Sequence, residues 1–282
     1  MWRKWALGVF VAGLILAGCQ STDEVSKFAA NAGTTLQEGQ SVLKDWGESC
    51  VREKLAQSSF SDFDSQRSEA EAACKSSNDV QNDQLAIANA LSKYFSALSQ
   101  LAAGTSSTAQ VSDAQAALSS ASSSTPHYEQ VVGFIGKWYT QTYTIKKVAG
   151  DVQAADSAVA ALTGAQADVI EKNYAKRLDR EQDTLRQRYT SFLGHVQRTP
   201  DLKAAEPVVT VMFNSQWQAD TRELDAKRAA AAAYVDALRK IRDGHHALAQ
   251  KNISYTAPGL RGLLGPYTAV LQNALMTIHK AF

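Results

Sequence analysis

Apolar residues recur at helical spacing along most of the chain. Val25, Phe28, Ala32, Leu36, Leu43, Trp46 and Cys50 follow one another at steps of three, four or seven. That period predicts a first helix over about 22–57, opened by Thr22-Asp23-Glu24, because acidic residues favour a helix N-terminus. Gly33 and Gly39 weaken it. Leu85, Ala88, Leu91, Phe95, Leu98 and Leu101 form a cleaner stripe and predict a second helix over 79–103. From Gly104 to Pro126 the chain is mostly Ser, Ala and Thr, with little to bury beyond Val111 and Leu118. This segment reads as a linker or a weak, exposed helix, and it is the best internal boundary.

A dense aromatic group follows over 127–149. Phe134/Trp138 and Tyr139/Tyr143 are i,i+4 pairs that stack along a helix. Next, Val159, Leu162, Val169, Tyr174, Leu178, Leu185, Tyr189, Phe192 and Val196 keep near-heptad spacing. Between them lies a face of alternating charge, from Glu171 to Arg188, of the kind a solvated helix carries. A helix over 155–197 would be ~64 Å long at the usual rise. Thr199-Pro200-Asp201 turns the chain, and Pro207 suits the start of a second long helix. That helix reaches about residue 250 and carries Val209, Phe213, Trp217, Leu224, Ala231, Val235 and Leu238 on one stripe. Tyr255–Gly265 reads as a loop, with Pro266 opening the last helix. No compelling strand alternation appears.

The predicted fold is all-α: an extended antiparallel helical bundle with long coiled-coil-like helices. The organisation expected is a leader at 1–18, N-terminal helices with a disulfide-closed turn at 19–103, the linker at 104–126, and a long-helix bundle at 127–282. The two helical parts are expected to pack as one body. The short link near Pro200 makes the two longest helices an antiparallel pair. The composition agrees: 45% of the 282 residues are hydrophobic and only five are Pro. A formal net charge of +1 argues against binding nucleic acid through a broad basic surface.

The first nineteen residues, MWRKWALGVFVAGLILAGC, have the three parts of an export signal. Arg3 and Lys4 supply the positive start, Trp5 to Ala17 an apolar run too short to span a bilayer comfortably, and small residues the end. Leu16-Ala17-Gly18-Cys19 resembles the lipobox of bacterial lipoproteins. The resemblance implies that Leu16, Ala17 and Gly18 are read by the signal peptidase. It also implies that Cys19 becomes the lipid-bearing first residue of the mature chain. Cleavage would lower the 29 basic residues to 27, against 28 acidic ones. Two or three acyl chains anchor a protein firmly, at about 0.8 kcal/mol per buried CH₂. By the same resemblance, Gln20 rather than Asp after the Cys favours the outer membrane, facing the periplasm.

Cys50 and Cys74 then remain, and two cysteines in an exported chain are most simply one structural disulfide. Their loop would reverse direction and staple neighbouring helices. The chain carries little recognisable catalytic or ligand-binding sequence. There is no HExxH, no zinc-finger spacing, no GxSxG, and no Walker or GxGxxG motif. Ser41-Val42-Leu43-Lys44 matches SxxK without the companion triplet or an α/β pattern. His245 and His246 are adjacent and point ~100° apart on a helix, so they do not chelate like an i,i+4 pair. Phe134, Trp138, Tyr139, Tyr143 and Trp217 form either a ligand pocket or simply core where helices cross. No catalytic residue, metal or cofactor is expected. The chain reads as a lipid-anchored binding or scaffolding component of the bacterial envelope, with a protein partner or a second copy as ligand. The competing reading is a periplasmic small-ligand carrier or inhibitor, and a further one is an envelope enzyme.

Overall fold

The computed structural model describes residues 23–58, 63–104, 128–140, 145–250 and 257–282, and every regular element among them is helical. In chain order these are α1 (23–38), α2 (Gln40–Gln57), α3 (Phe63–Ala73), α4 (Lys75–Ala103), α5 (Tyr128–Thr140), α6 (Ile145–Val169), α7 (Ala175–Arg198), α8 (Glu206–Ala249) and α9 (Ala257–Ala281). One π turn, Ile170–Tyr174, joins α6 to α7, and a 3₁₀ turn, Pro200–Ala205, joins α7 to α8.

The long helices pack antiparallel, and their partners show the register. Along α1–α2 and α4, Ser26 meets Ser99, the Gly33 carbonyl accepts from Ser92, and Cys50 is disulfide-bonded to Cys74. As one number rises the other falls. The same holds along α6–α7 and α8, where Asp156 meets His246, Gln166 meets Tyr234, Asp179 meets Arg228 and Tyr189 meets Asp220. α9 packs on α8 and runs parallel to α1, with Arg261 on Glu24 and His279 near Glu38. One apolar core runs from Phe28 to Ile278 and includes residues of both chain halves. A small satellite of Cys50, Val51, Ala70 and Cys74 ties α3 to α2. Closing a loop of this size contributes about 3 kcal/mol in the chain-entropy picture.

Three local features differ from the sequence expectation. The first helix runs through Gly33 and leaves regular geometry only at Gly39. Space is the reason for that glycine: a Cβ there would lie 2.1 Å from the Tyr234 ring. The buried Tyr234 hydroxyl donates to Gln166 Oε1 at 3.1 Å, and Gln166 Nε2 donates to the Gln84 carbonyl at 2.9 Å. The close approach at Gly39 thus seats a polar chain linking α8, α6 and α4. Second, the near-heptad stripe contains a step of five, Val169 to Tyr174. The π turn absorbs the extra residue, so that Ile170 and Tyr174 both face the core at 1% and 0% exposure. Third, the segment before Pro266 is helical from Ala257 onward, and Pro266 lies inside α9. Pro258 sits in the first turn, where no amide hydrogen is needed. Leu260 and Leu264, one turn apart, are fully buried, which offsets a glycine cost of about 1 kcal/mol each for Gly262 and Gly265.

The end of the second predicted helix agrees with its expected bound. α4 stops at Gly104, whose φ of 69° is left-handed and whose amide donates back to Leu101. The expected linker at 104–126 lies, beyond Gly104, outside the described residues. Gly39→Ala forces a methyl into the Tyr234 ring and is expected to destabilise the fold by about 1–3 kcal/mol in urea unfolding. Gly133→Ala, where an added Cβ meets nothing within 4 Å, is expected to be neutral or mildly stabilising in the same assay.

Candidate functional site

The buried positions of α8 begin at Leu224, and none of its residues from Glu206 to Glu223 is buried. α7 keeps only Leu178, Glu181 and Val196 buried. The two helices therefore leave the body as a hairpin. Its inner seam is aromatic. Tyr189 packs on Phe213 and Trp217, Phe192 lies 4.7 Å from Phe213 between ring centres, and the Arg186 guanidinium sits over Trp217. Tyr189 donates to Asp220 at 2.6 Å. Beyond this seam Val208, Val211 and Met212 are 64%, 70% and 65% exposed, and Leu202 in the turn is 38% exposed. Large apolar side chains left in water at one place mark an interaction surface more often than a stable free end.

The hairpin is fixed to α2 by charge. Arg52 donates from Nη1 and Nη2 to both oxygens of Asp45, each at 2.9 Å. Its Nε donates to Glu181 at 2.5 Å and its Nη2 to the other Glu181 oxygen at 3.2 Å. Ser49 also donates to Glu181, Tyr174 donates to Asp45 at 2.7 Å, and Lys227 from α8 lies 3.0 Å from Asp45. Glu181 is 1% exposed and Lys227 5%. The charged face of α7 is thus not wholly solvated as its sequence suggested, although Asp179 and Asp183 do face water. Burial by itself would raise the Asp45 carboxyl. The Arg52 hydrogen bonds and charge, with Lys227 and Tyr174, bring it below the usual carboxylate range.

A second polar array crosses the core. Tyr94 Oη and His245 Nε2 are 2.8 Å apart, and His245 Nδ1 is 3.1 Å from Asp156 Oδ1. His246 Nδ1 takes the other Asp156 oxygen at 2.7 Å. Burial lowers the His245 pKa despite Asp156. A neutral ring that donates from Nδ1 to Asp156 and accepts from Tyr94 satisfies all three groups. The order carboxylate–imidazole–hydroxyl has the connectivity of a nucleophilic triad. However, Tyr94 and His245 are 0% exposed, so the hydroxyl in the nucleophile's place is shut off from solvent, and burial pushes its pKa well up. The array ties α4, α6 and α8 together. The adjacent histidines are thus joined by one carboxylate, a partner 89 residues away that spacing alone could not supply.

Of the residues singled out in the sequence, Cys50 and Cys74 form the disulfide, with Cα atoms 5.9 Å apart. Trp217 belongs to the hairpin seam with Tyr189. Leu16, Ala17, Gly18, Cys19 and Tyr143 lie outside the described residues. So do the side chains of Phe134, Trp138 and Tyr139, which fall on α5. No group of three metal-ligating side chains occurs among the described residues, and no described helix is long and apolar enough to cross a membrane. Comparison with protein-family models, curated proteins and solved structures finds no match to this chain.

Arg52→Ala strips two buried carboxylates of their main partner and is expected to cost about 3–5 kcal/mol in denaturant unfolding. Arg67→Ala breaks an exposed pair with Glu71 and is expected to change stability by under about 1 kcal/mol. The neutral His245 gives the fold a pH dependence of defined sign. Its folded pKa lies below 6.5, so its contribution is complete above about pH 6.5 and is lost as the pH falls and the unfolded chain takes up a proton. Urea midpoints are expected to drop from pH 7 to pH 5, and His245→Gln, though less stable throughout, to flatten that slope.

Proposed function

We propose that this chain is a lipid-anchored exported protein of the bacterial envelope. In this reading Cys19 bears the lipid, and the α7–α8 hairpin binds or scaffolds a protein partner away from the membrane. The observation that carries the proposal is the separation of the two ends. α1 begins four residues after Cys19. Its first turns lie beside Arg261, Ser99 and Tyr267, and Phe28 lies against Gly244 of α8. From Gly244 to Val211 is 33 residues of continuous α8, or about 50 Å. The start of α1 and the exposed apolar end therefore fall at opposite ends of the bundle, which supports an anchor joined to the one and a partner met by the other. A protein held at a membrane only by acyl chains needs no spanning helix. With Gln20 after the lipidated Cys, the outer membrane and its periplasmic face are the favoured location.

The test has two parts. Labelled palmitate is expected to enter the wild-type chain in bacteria and to be absent from Cys19→Ser, which should leave the membrane fraction. Incorporation into both, or into neither with unchanged fractionation, would remove the anchor from the reading. A photocrosslinker at Val211 is expected to capture a discrete protein in intact envelopes, and the triple change Val208→Ser, Val211→Ser, Met212→Gln to abolish capture. Light scattering on the purified protein separates a second copy from a different partner.

A further inference from the structure

We propose that the exposed stripe of α8 is a pairing surface for a second copy of this chain, in which two hairpins lie antiparallel with their α8 helices back to back. The inference rests on the reading of the hairpin as the partner-binding end and names the partner. Val208, Val211, Met212, Ser215 and Ala219 are all exposed. At ~100° per residue they share one face of α8. That face is turned away from Phe213 and Trp217, which pack on Tyr189 of α7. From Pro207 to Ala219 the sequence has no charged residue, although this part of α8 buries nothing. A helix face meant for water carries charge, as the outer face of α7 does. Nearer the body the same face of α8 is covered. Ala230, Ala237 and Gly244 lie on it by helical phase, and Ala230 and Ala237 are fully buried. Gly244 lies against Phe28 of α1 and Tyr267 of α9. The stripe is therefore the continuation of a helix-packing face past the point where this chain covers it.

The order of side-chain sizes along the stripe selects the occupant. Val208, Val211 and Met212 lie toward the tip of the hairpin, and the small Ser215 and Ala219 toward its root. Such a surface fits its own copy turned end for end about a two-fold axis. In the register that sets Val208 over Ala219, Met212 falls over Ser215, so each large side chain meets a small one. The same register brings Arg222 within one residue of the level of Glu206. Arg222 Nε donates to the Gln218 carbonyl at 3.1 Å, and neither Arg222 nor Glu206 has an ion pair with a described residue. Each end of the paired stripe thus gains an opposite charge. A parallel pair has none of this: Val208 would face Val208, Arg222 would face Arg222, and α1 and α9 on the same face of the body would hold the hairpins apart. In the antiparallel pair the two α1 starts lie at the outer ends. Both can meet one membrane when the two-fold axis stands normal to it, and the usual crossing of packed helices, about 20–50°, lifts the overlapped hairpins off the surface between them.

The test is light scattering on the purified Cys19→Ser chain, in which lipid cannot drive association, over a series of concentrations. One helix face per copy is small for a stable interface, so a monomer–dimer equilibrium that shifts with concentration is expected. Val208→Glu and Ala219→Lys, each at an exposed position, are each expected to weaken dimerisation about tenfold or more by placing an uncompensated charge in the interface. Together in one chain the two changes face each other across the two-fold axis but lie too far apart to pair along one helix, and dimerisation is expected to return. Circular dichroism checks that every variant keeps its helix content. A monomer at all concentrations, a dimer indifferent to Val208→Glu, or a double variant that associates no better than either single one would overturn the second copy as partner. If the Val211 crosslinker then captured a different discrete protein in intact envelopes, the hairpin would still stand as the binding end, so the two proposals fail separately.

Discussion

Arg52 stands between Asp45 of its own helix and Glu181 of α7, and it sets where the first long helix meets the hairpin. The reason lies in the inner face of α2 at this level, where Asp45, Ser49 and Glu53 are buried beside apolar residues. Hydrophobic burial is non-directional and would tolerate a sliding helix. A planar guanidinium engaging two carboxylates at once tolerates very little. With Lys227 reaching Asp45 from α8, charges from three helices are paired at one level. Above it the contacts are mainly apolar, along the core from Phe28 onward. Below it the hairpin continues on its own aromatic seam.

Much of the architecture was legible in the residues because helical periodicity is strong wherever a continuous core exists. Ala88, Leu91, Phe95 and Leu98 of the second predicted stripe are buried, with Leu85 and Leu101 half-buried at its ends, and on α8 the predicted stripe is buried from Leu224 onward, at Ala231, Val235 and Leu238. The disulfide followed from counting cysteines in a chain whose first residues read as an export signal. What stayed hidden needs knowledge of partners distant in sequence. Glu181 looked solvated because its neighbours Asp179, Arg180 and Asp183 are exposed, and nothing local marks it as the residue facing Arg52. His245 and His246 looked like ordinary helix residues because Asp156, which joins them, lies a helix away. Gly39 read as a weakness when in fact it makes room for Tyr234. The step of five from Val169 to Tyr174 was a visible signal of the π turn.

The ionic clasp and the neighbouring cations of α7 are compensated differently. In the clasp, Arg52 and Lys227 face Asp45 and Glu181, so each buried charge has its counter-charge. Arg177, one turn of α7 before Glu181, and Arg180, next to Glu181, both pair with Glu53, and Trp46, adjacent in sequence to Asp45, has no partner for its N–H among the described residues.

The functional reading rests on a rod with its N-terminal end and its exposed apolar end far apart. Pulsed electron–electron spin resonance between labels at Lys27 and Met212, in the Cys19→Ser chain with the disulfide intact, measures that separation directly. A single narrow distribution near 50 Å, the span of α8 between these levels, is the expected result. A dominant population below about 30 Å would mean that the hairpin folds back along the body, and it would contradict the projection on which the proposed role depends.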